Sequence, residues 1–269
     1  MQTFFLTRYS FFGKSDWRSK ASNDPKLLLK PARLEQRETL FERIALQSLS
    51  NQTNPDFKLL VLSSEAMPQA YKKRLVALCN DMLGERAHVL FRKPQRTAGC
   101  FNQYRAQQLP RKSKYVIQSI LDDDDGVSSD FVSRIKREAR VAERSFEKKD
   151  DYTFISHATG VNLKISEDGS AEVTHRSMPC TTQGLTLVSR SNSNRSPFNI
   201  AHKKILERRP VRVCHGGPVM YVRTVHNLND SRTILSDHRP VTQEAVSDII
   251  QNRLPLLAQF APQALRIAA

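Results

Sequence analysis

The sequence predicts an α/β fold in which a parallel or mixed sheet flanked by helices is followed by a smaller mixed half and a C-terminal helix. Three observations carry that expectation. Apolar, β-branched runs alternate with amphipathic stretches of helical length through residue 126, the pattern of parallel strands joined by right-handed crossovers. From Asp151 the pattern changes to short strands broken by turn residues. Between them, Tyr115 to Ile120 reads as a buried strand that opens into Leu121, Asp122, Asp123, Asp124, Asp125 and Gly126, so four carboxylates stand where a strand meets solvent.

Thr3 to Leu6 is the first expected strand, with Arg8 just past its end. The stretch 10–31 mixes Gly13, Trp17, Asn23 and Pro25 with basic residues, holds no sustained period, and reads as a long loop. A helix is expected over 33–49, with Leu34, Leu40, Phe41, Ile44, Ala45 and Leu49 on one face, and a second strand over 56–62. Pro68 opens and Gly84 stops the next helix, and His88 to Phe91 forms a third strand. A helix from Thr97 or Ala98, carrying Arg105 on its surface, is ended by Pro110. Ser128 or Ser129 can cap the helix after the acidic run, which turns Phe131, Ile135, Ala139, Ala142 and Phe146 inward and a row of basic residues outward. Hairpin strands follow at 152–155, 161–165, 171–174 and 185–188, then a helix at 200–208 and short strands at 211–213 and 219–222. The tail 241–269 reads as amphipathic helix interrupted by Pro255 and Pro262.

At 269 residues and 39% hydrophobic content the chain can bury a proper core. Lys and Arg number 42 against 27 Asp and Glu, so the net charge of +15 calls for an anionic partner: nucleic acid, an acidic membrane surface or a phosphate-bearing substrate. Recognised nucleic-acid modules are absent from the pattern, and so are GxGxxG and the P-loop, which turns the reading away from nucleic acid and dinucleotides. Cys79, Cys100, Cys180 and Cys214 form no CxxC pair, which argues against structural zinc and for reduced thiols. With no run approaching a membrane span and an N-terminal apolar stretch too short for a signal peptide, a cytoplasmic protein is expected, with peripheral contact at the inner membrane left open.

Four adjacent carboxylates repel one another unless a cation or hydrogen-bond donors compensate, and oxygen-only ligands suit Mg²⁺ or Mn²⁺. In an extended chain, alternation sends Asp122 and Asp124 one way and Asp123 and Asp125 the other.

The acidic run resembles the DxD motif of nucleotide-sugar glycosyltransferases, and the layout of the two halves is that of their GT-A fold. More specifically, the chain looks like a member of the bacterial putative rhamnosyltransferase family. The matching stretches are Arg8-Tyr9-Ser10 with Phe12-Gly13 and Trp17, Arg33 to Arg37 with Phe41-Glu42, Gln47 to Leu49 with Gln52-Thr53 and Asp56-Phe57, the acidic run, and Tyr221 to Asn229. Asn227 departs from the pattern, which has glycine there. The resemblance implies a nucleotide-sugar-binding half at 1–126, an acceptor-side half at 127–240, and a helical tail at 241–269.

It further implies a nucleotide-diphosphate sugar donor, a glycan or lipid-linked acceptor, and Mn²⁺ or Mg²⁺ as cofactor. Arg8, Arg33, Arg37, Asp122, Asp123 and Arg223 are the expected donor-binding residues. Asp122, Asp124 and Asp125 are the expected metal ligands, joined by a late histidine, His226 first and His215 second. For an inverting transfer a general base is needed, and His202, Asp230 and Asp237 are the candidates. Lys203, Lys204, Arg208, Arg209 and Arg212 form a basic surface suited to anionic glycan or membrane headgroups. Two other classes stay open at this stage: a basic nucleic-acid-binding protein and metal-dependent phosphoryl transfer.

Overall fold

The computed structural model describes residues 1–13, 24–108, 113–144, 146, 151–226, 239 and 241–260, with the backbone alone at 265–266. Among these residues the strands form two sheets. The larger has seven strands in the order β10-β6-β9-β4-β1-β2-β3. Its parallel part is β1 (Gln2–Tyr9), β2 (Lys58–Ser64), β3 (Ala87–Arg92) and β4 (Tyr115–Ile120). Beside β4 lie β9 (Thr186–Arg190), antiparallel, then β6 (Tyr152–His157) and the edge strand β10 (Val211–Cys214).

The connecting helices fall close to where periodicity places them. After α1 (Pro25–Leu28), α2 (Pro31–Leu40) runs through one wider, π-type stretch at Phe41–Leu46 into a last turn at Gln47–Ser50. α3 (Gln69–Leu83) starts at Pro68 and stops at Gly84, whose φ of 58° suits glycine. α4 (Thr97–Gln108) and α5 (Phe131–Arg144) complete the first half. One face of the sheet packs on α2, α3 and α5 through Phe5, Val61, Ile117 and Val188. The other meets α4 through Phe4, Leu62 and Phe101, and α6 (Ile205–Arg208) through Leu187 and Ile205.

The smaller sheet, β12-β8-β7-β11-β5, is built from β5 (Gly126–Val127), β7 (Thr159–Ile165), β8 (Ala171–Ser177), β11 (Tyr221–Val225) and β12 (Leu265–Arg266). Its apolar face packs on α7 (Gln243–Asn252) and the turn Pro255–Gln259 through Val161, Leu163, Val173, Val222, Ile249 and Leu257. Arg253 ties this tail back to the start of α5, donating to Asp130 at 2.7 Å and to the Val219 carbonyl at 3.1 Å.

Several expectations are corrected. Of the expected hairpin strands only β7 and β8 pair as a hairpin; β6 and β9 complete the larger sheet instead, because their apolar residues cover both of its faces. The first strand runs three residues past its expected end at Leu6, to Tyr9, so Arg8 lies within it. Residues 200–208 shorten to a 3₁₀ turn at His202–Lys204 and the single turn of α6. The tail is not helical to its end: β12 pairs with β8. Arg105 is 2% exposed rather than on the helix surface, and donates to the Ser193 carbonyl at 2.7 Å. Trp17 and Pro262 lie outside the described residues.

Candidate active site

Parallel pairing fixes the site. Leu6 lies opposite Ile120, so β1 and β4 deliver Arg8 and the acidic run side by side at the carboxyl ends of their strands, where open α/β sheets receive ligands. The run does not stay extended. The Asp125 N–H donates to the Asp122 carbonyl at 3.2 Å and closes a turn, so the alternation expected of a strand fails there. Gly126 ends the turn and enters the small sheet opposite Val222, where a side chain would meet Val222 and Leu256 at 3.0 Å.

Three of the four carboxylates are closed in by protein donors. Arg37, 4% exposed, reaches from α2 with a forked grip: Nε donates to Asp123 at 3.1 Å, one terminal nitrogen to the other Asp123 oxygen, and the second terminal nitrogen to Asp124 at 2.9 Å. His226 Nε2 lies 2.9 Å from the same Asp124 oxygen. Burial alone pushes the Asp124 carboxyl up, but Arg37 and His226 outweigh it and hold it well below the usual carboxylate range. Asp124 is therefore an anion, and His226 donates to it. Asp125 accepts from the Thr224 N–H at 2.9 Å and from Gln183 Nε2. Burial first, then the fields of Asp124 and Asp122, push Asp125 well above its ordinary value against those bonds.

Asp122 differs. Its side chain is 20% exposed, its Oδ1 makes no hydrogen bond, and Arg8 stands 3.9 Å away with its guanidinium 5.1 Å from the centre of the Phe198 ring. His202 joins this group: burial lowers its pKa, Asp122 raises it, and the nearby charges of Arg8 and Arg223 lower it again. The structure thus brings together Arg8, Asp122, His202 and Arg223 on one side of the turn, and Arg37, Asp123, Asp124 and His226 on the other. Arg33 lies one helical turn before Arg37, partly buried. His215 is apart: it sits exposed after the edge strand β10, three strands or roughly 14 Å from β4 at the usual interstrand spacing. Asp230 and Asp237 lie outside the described residues.

The donor set suits one kind of metal binding. Among the described residues no three His, Cys, Asp or Glu side chains gather into a metal cage. A buried, hydrogen-bond-free carboxylate oxygen on Asp122 instead matches the habit of Mg²⁺, which takes one or two carboxylates and completes its shell with substrate phosphates and water. Gln183 and the Thr224 amide were not legible as site residues, since a lone glutamine in a loop and a backbone N–H carry no sequence signal.

An α/β sheet with cations and carboxylates gathered at the carboxyl ends of two parallel strands has its charged groups where open α/β sheets receive ligands. The sequence matches the putative rhamnosyl transferase family over residues 2–238, and the chain belongs to that family. No curated protein matches it. Among solved structures, residues 1–349 of S. aureus TarS share 12% identity at a TM-score of 0.42 over 83% of this chain, which spans 60% of that one. TarS 1–349 in complex with UDP-GlcNAc gives 13% and 0.43 over 97% of this chain and 71% of that one. The 4-diphosphocytidyl-2C-methyl-D-erythritol synthase of Anaerococcus prevotii gives 11% and 0.38 over 91% and 93%. Likenesses this loose carry no argument; the family match and the site do.

Proposed function

We propose that the protein transfers a sugar, with rhamnose the first candidate, from a nucleoside diphosphate to a hydroxyl of a polysaccharide or lipid-linked acceptor, using Mn²⁺ or Mg²⁺, in the cytoplasm. The observation that carries this reading is Asp122, a carboxylate left open between Arg8 and His202 while its three neighbours are taken. Asp122 would hold the metal, with Asp124 beside it. The ion, when bound, supplies a Lewis acid that neutralises charge developing on the departing diphosphate. Arg8 and Arg223 add fixed cations for the same oxygens, and a guanidinium fork suits phosphate geometry. His202, kept neutral by burial, is the base we favour for the acceptor hydroxyl's proton, ahead of Asp230 and Asp237. The exposed basic surface of Lys203, Lys204, Arg208, Arg209 and Arg212 supports peripheral contact with anionic glycan or headgroups. No helix among the described residues is long and apolar enough to cross a membrane.

The test is a thermal-shift panel of dTDP, UDP and GDP, each with Mn²⁺ and with EDTA, because a ligand of the native state alone raises the melting temperature. The proposal expects a metal-dependent rise with one nucleotide. No rise with any of them, together with salt-sensitive binding of nucleic acid, would overturn it.

A further inference from the structure

The small sheet has a second face, opposite the one packed on α7, and that face is polar. Register places Arg223 of β11 opposite Asn162 of β7, Asn162 opposite Thr174 of β8, and Gly160 of β7 opposite Arg176 of β8. Arg176, Arg223, Asn162, Thr174 and Tyr221 therefore project on one side, the side that meets Asp125 of the acidic turn. Gly160 is part of the construction. A Cβ there would stand 2.4 Å from the Tyr221 ring, so glycine lets that ring lie across β7 beside Arg176, with its hydroxyl donating to the Ala158 carbonyl at 3.2 Å.

Arg176 is anomalous on this face. It is 4% exposed, yet its hydrogen bonds run to neutral acceptors, the Asn162 amide oxygen at 3.3 Å and the Met178 sulfur at 3.2 Å, and its Nε has no partner. Asp125 is near enough for its field to be felt but gives its oxygens to Gln183 and the Thr224 N–H. Arg223, part-buried and close enough to repel Arg176, has no carboxylate partner among the described residues. Buried cations are normally paired, because taking an unpaired charge out of water is expensive. Arg37 shows the paired case in the same molecule. Among the described residues neither guanidinium is ion-paired with a carboxylate, since Asp125 gives its oxygens to Gln183 and Thr224 and Glu172, farther along β8, faces Lys164; the two therefore offer a place for a ligand's anion.

We propose that this face is an acceptor subsite for an anionic group, a carboxylate or a phosphate carried by the acceptor, with Arg176 as its fork and Arg223 between it and the donor. This rests on the glycosyltransferase reading above and names the acceptor's chemical class. An anion seated here lies beside the acidic turn, on the acceptor-side half of the chain, and the fork that reads it is separate from Arg8 and Asp122.

The full-length protein, saturated with Mn²⁺ and the nucleotide that shifts its melting temperature, is titrated calorimetrically with two matched pairs: glucuronate against glucose, and glycerol 3-phosphate against glycerol. The anionic member of at least one pair is expected to bind about tenfold or more tighter than its neutral partner, and the pair that discriminates identifies carboxylate or phosphate as the group. In Arg176→Gln that preference falls about tenfold while nucleotide affinity stays within roughly twofold of wild type. Should Arg176→Gln fail to fold, Arg176→Lys keeps the charge and loses the fork, and the same loss of preference is expected. Equal binding of charged and neutral partners, no binding of either pair while the nucleotide binds, or a preference untouched in the Arg176 variants would each overturn the subsite. Absence of nucleotide binding would instead overturn the reading on which it rests.

Discussion

Asp122 and Asp123 are adjacent and chemically identical, and the fold treats them in opposite ways. Asp123 is 1% exposed, and both of its oxygens are locked by one edge of the Arg37 guanidinium. Asp122 faces Arg8 across 3.9 Å, keeps an oxygen without a hydrogen bond, and its charge reaches His202. The difference separates two jobs within one run. One part of the turn is held in place by protein charges, and the other keeps a carboxylate oxygen that no protein donor takes. Arg37 thereby serves the site as a positioning residue, since its guanidinium is occupied by the turn it holds.

The comparison can be broken by removing each side in turn. The largest effect is expected for Arg37→Met, which strands Asp123 and Asp124 as buried anions and should cost about 3–5 kcal/mol in urea unfolding. A loss under about 1 kcal/mol would show that the grip is not structural. Asp122→Asn should leave the urea midpoint nearly unchanged and slow sugar transfer by about 10²–10³, the size of a lost electrostatic contact in a transition state. Next is pH. Burial lowers the His157 pKa to about 4, so below about 6.5 the unfolded chain takes a proton that the folded one refuses. The His157 contribution should therefore lower stability as pH falls from about 6.5 to 4, by on the order of 3 kcal/mol, and is complete below that; His157→Phe should flatten the slope in this window. The smallest effect is expected at Arg74, whose exposed pair with Glu38 should leave the melting temperature unchanged when Arg74 becomes Ala.

The larger sheet was mostly legible because its strands are continuous apolar runs and its helices keep one apolar stripe, so that Pro68, Gly84 and Tyr115 to Ile120 fall at or within a residue of their observed boundaries. Partner choice was less so. Residues 152–155 and 185–188 read as hairpin strands, but which strand they join depends on the shape of the sheet already built, and β4 offered the open edge. In the site, the acidic run announced itself. Its division did not, because alternation assumes an extended chain and the Asp125 to Asp122 hydrogen bond makes a turn. Arg37 was legible as a site residue without its role, since a side chain 86 positions from its partner in sequence leaves no local trace. Arg176 was missed altogether: a charged residue at the end of a short strand looks exposed until β7 and β11 close over it.

The most direct test measures Asp122→Asn and Asp123→Asn side by side, for Mn²⁺-dependent nucleoside diphosphate affinity and for urea stability. A divided turn predicts opposite results: Asp122→Asn loses metal-dependent nucleotide affinity at near wild-type stability, and Asp123→Asn loses stability first. Wild-type nucleotide affinity in Asp122→Asn, or matching losses of stability in both variants, would contradict it.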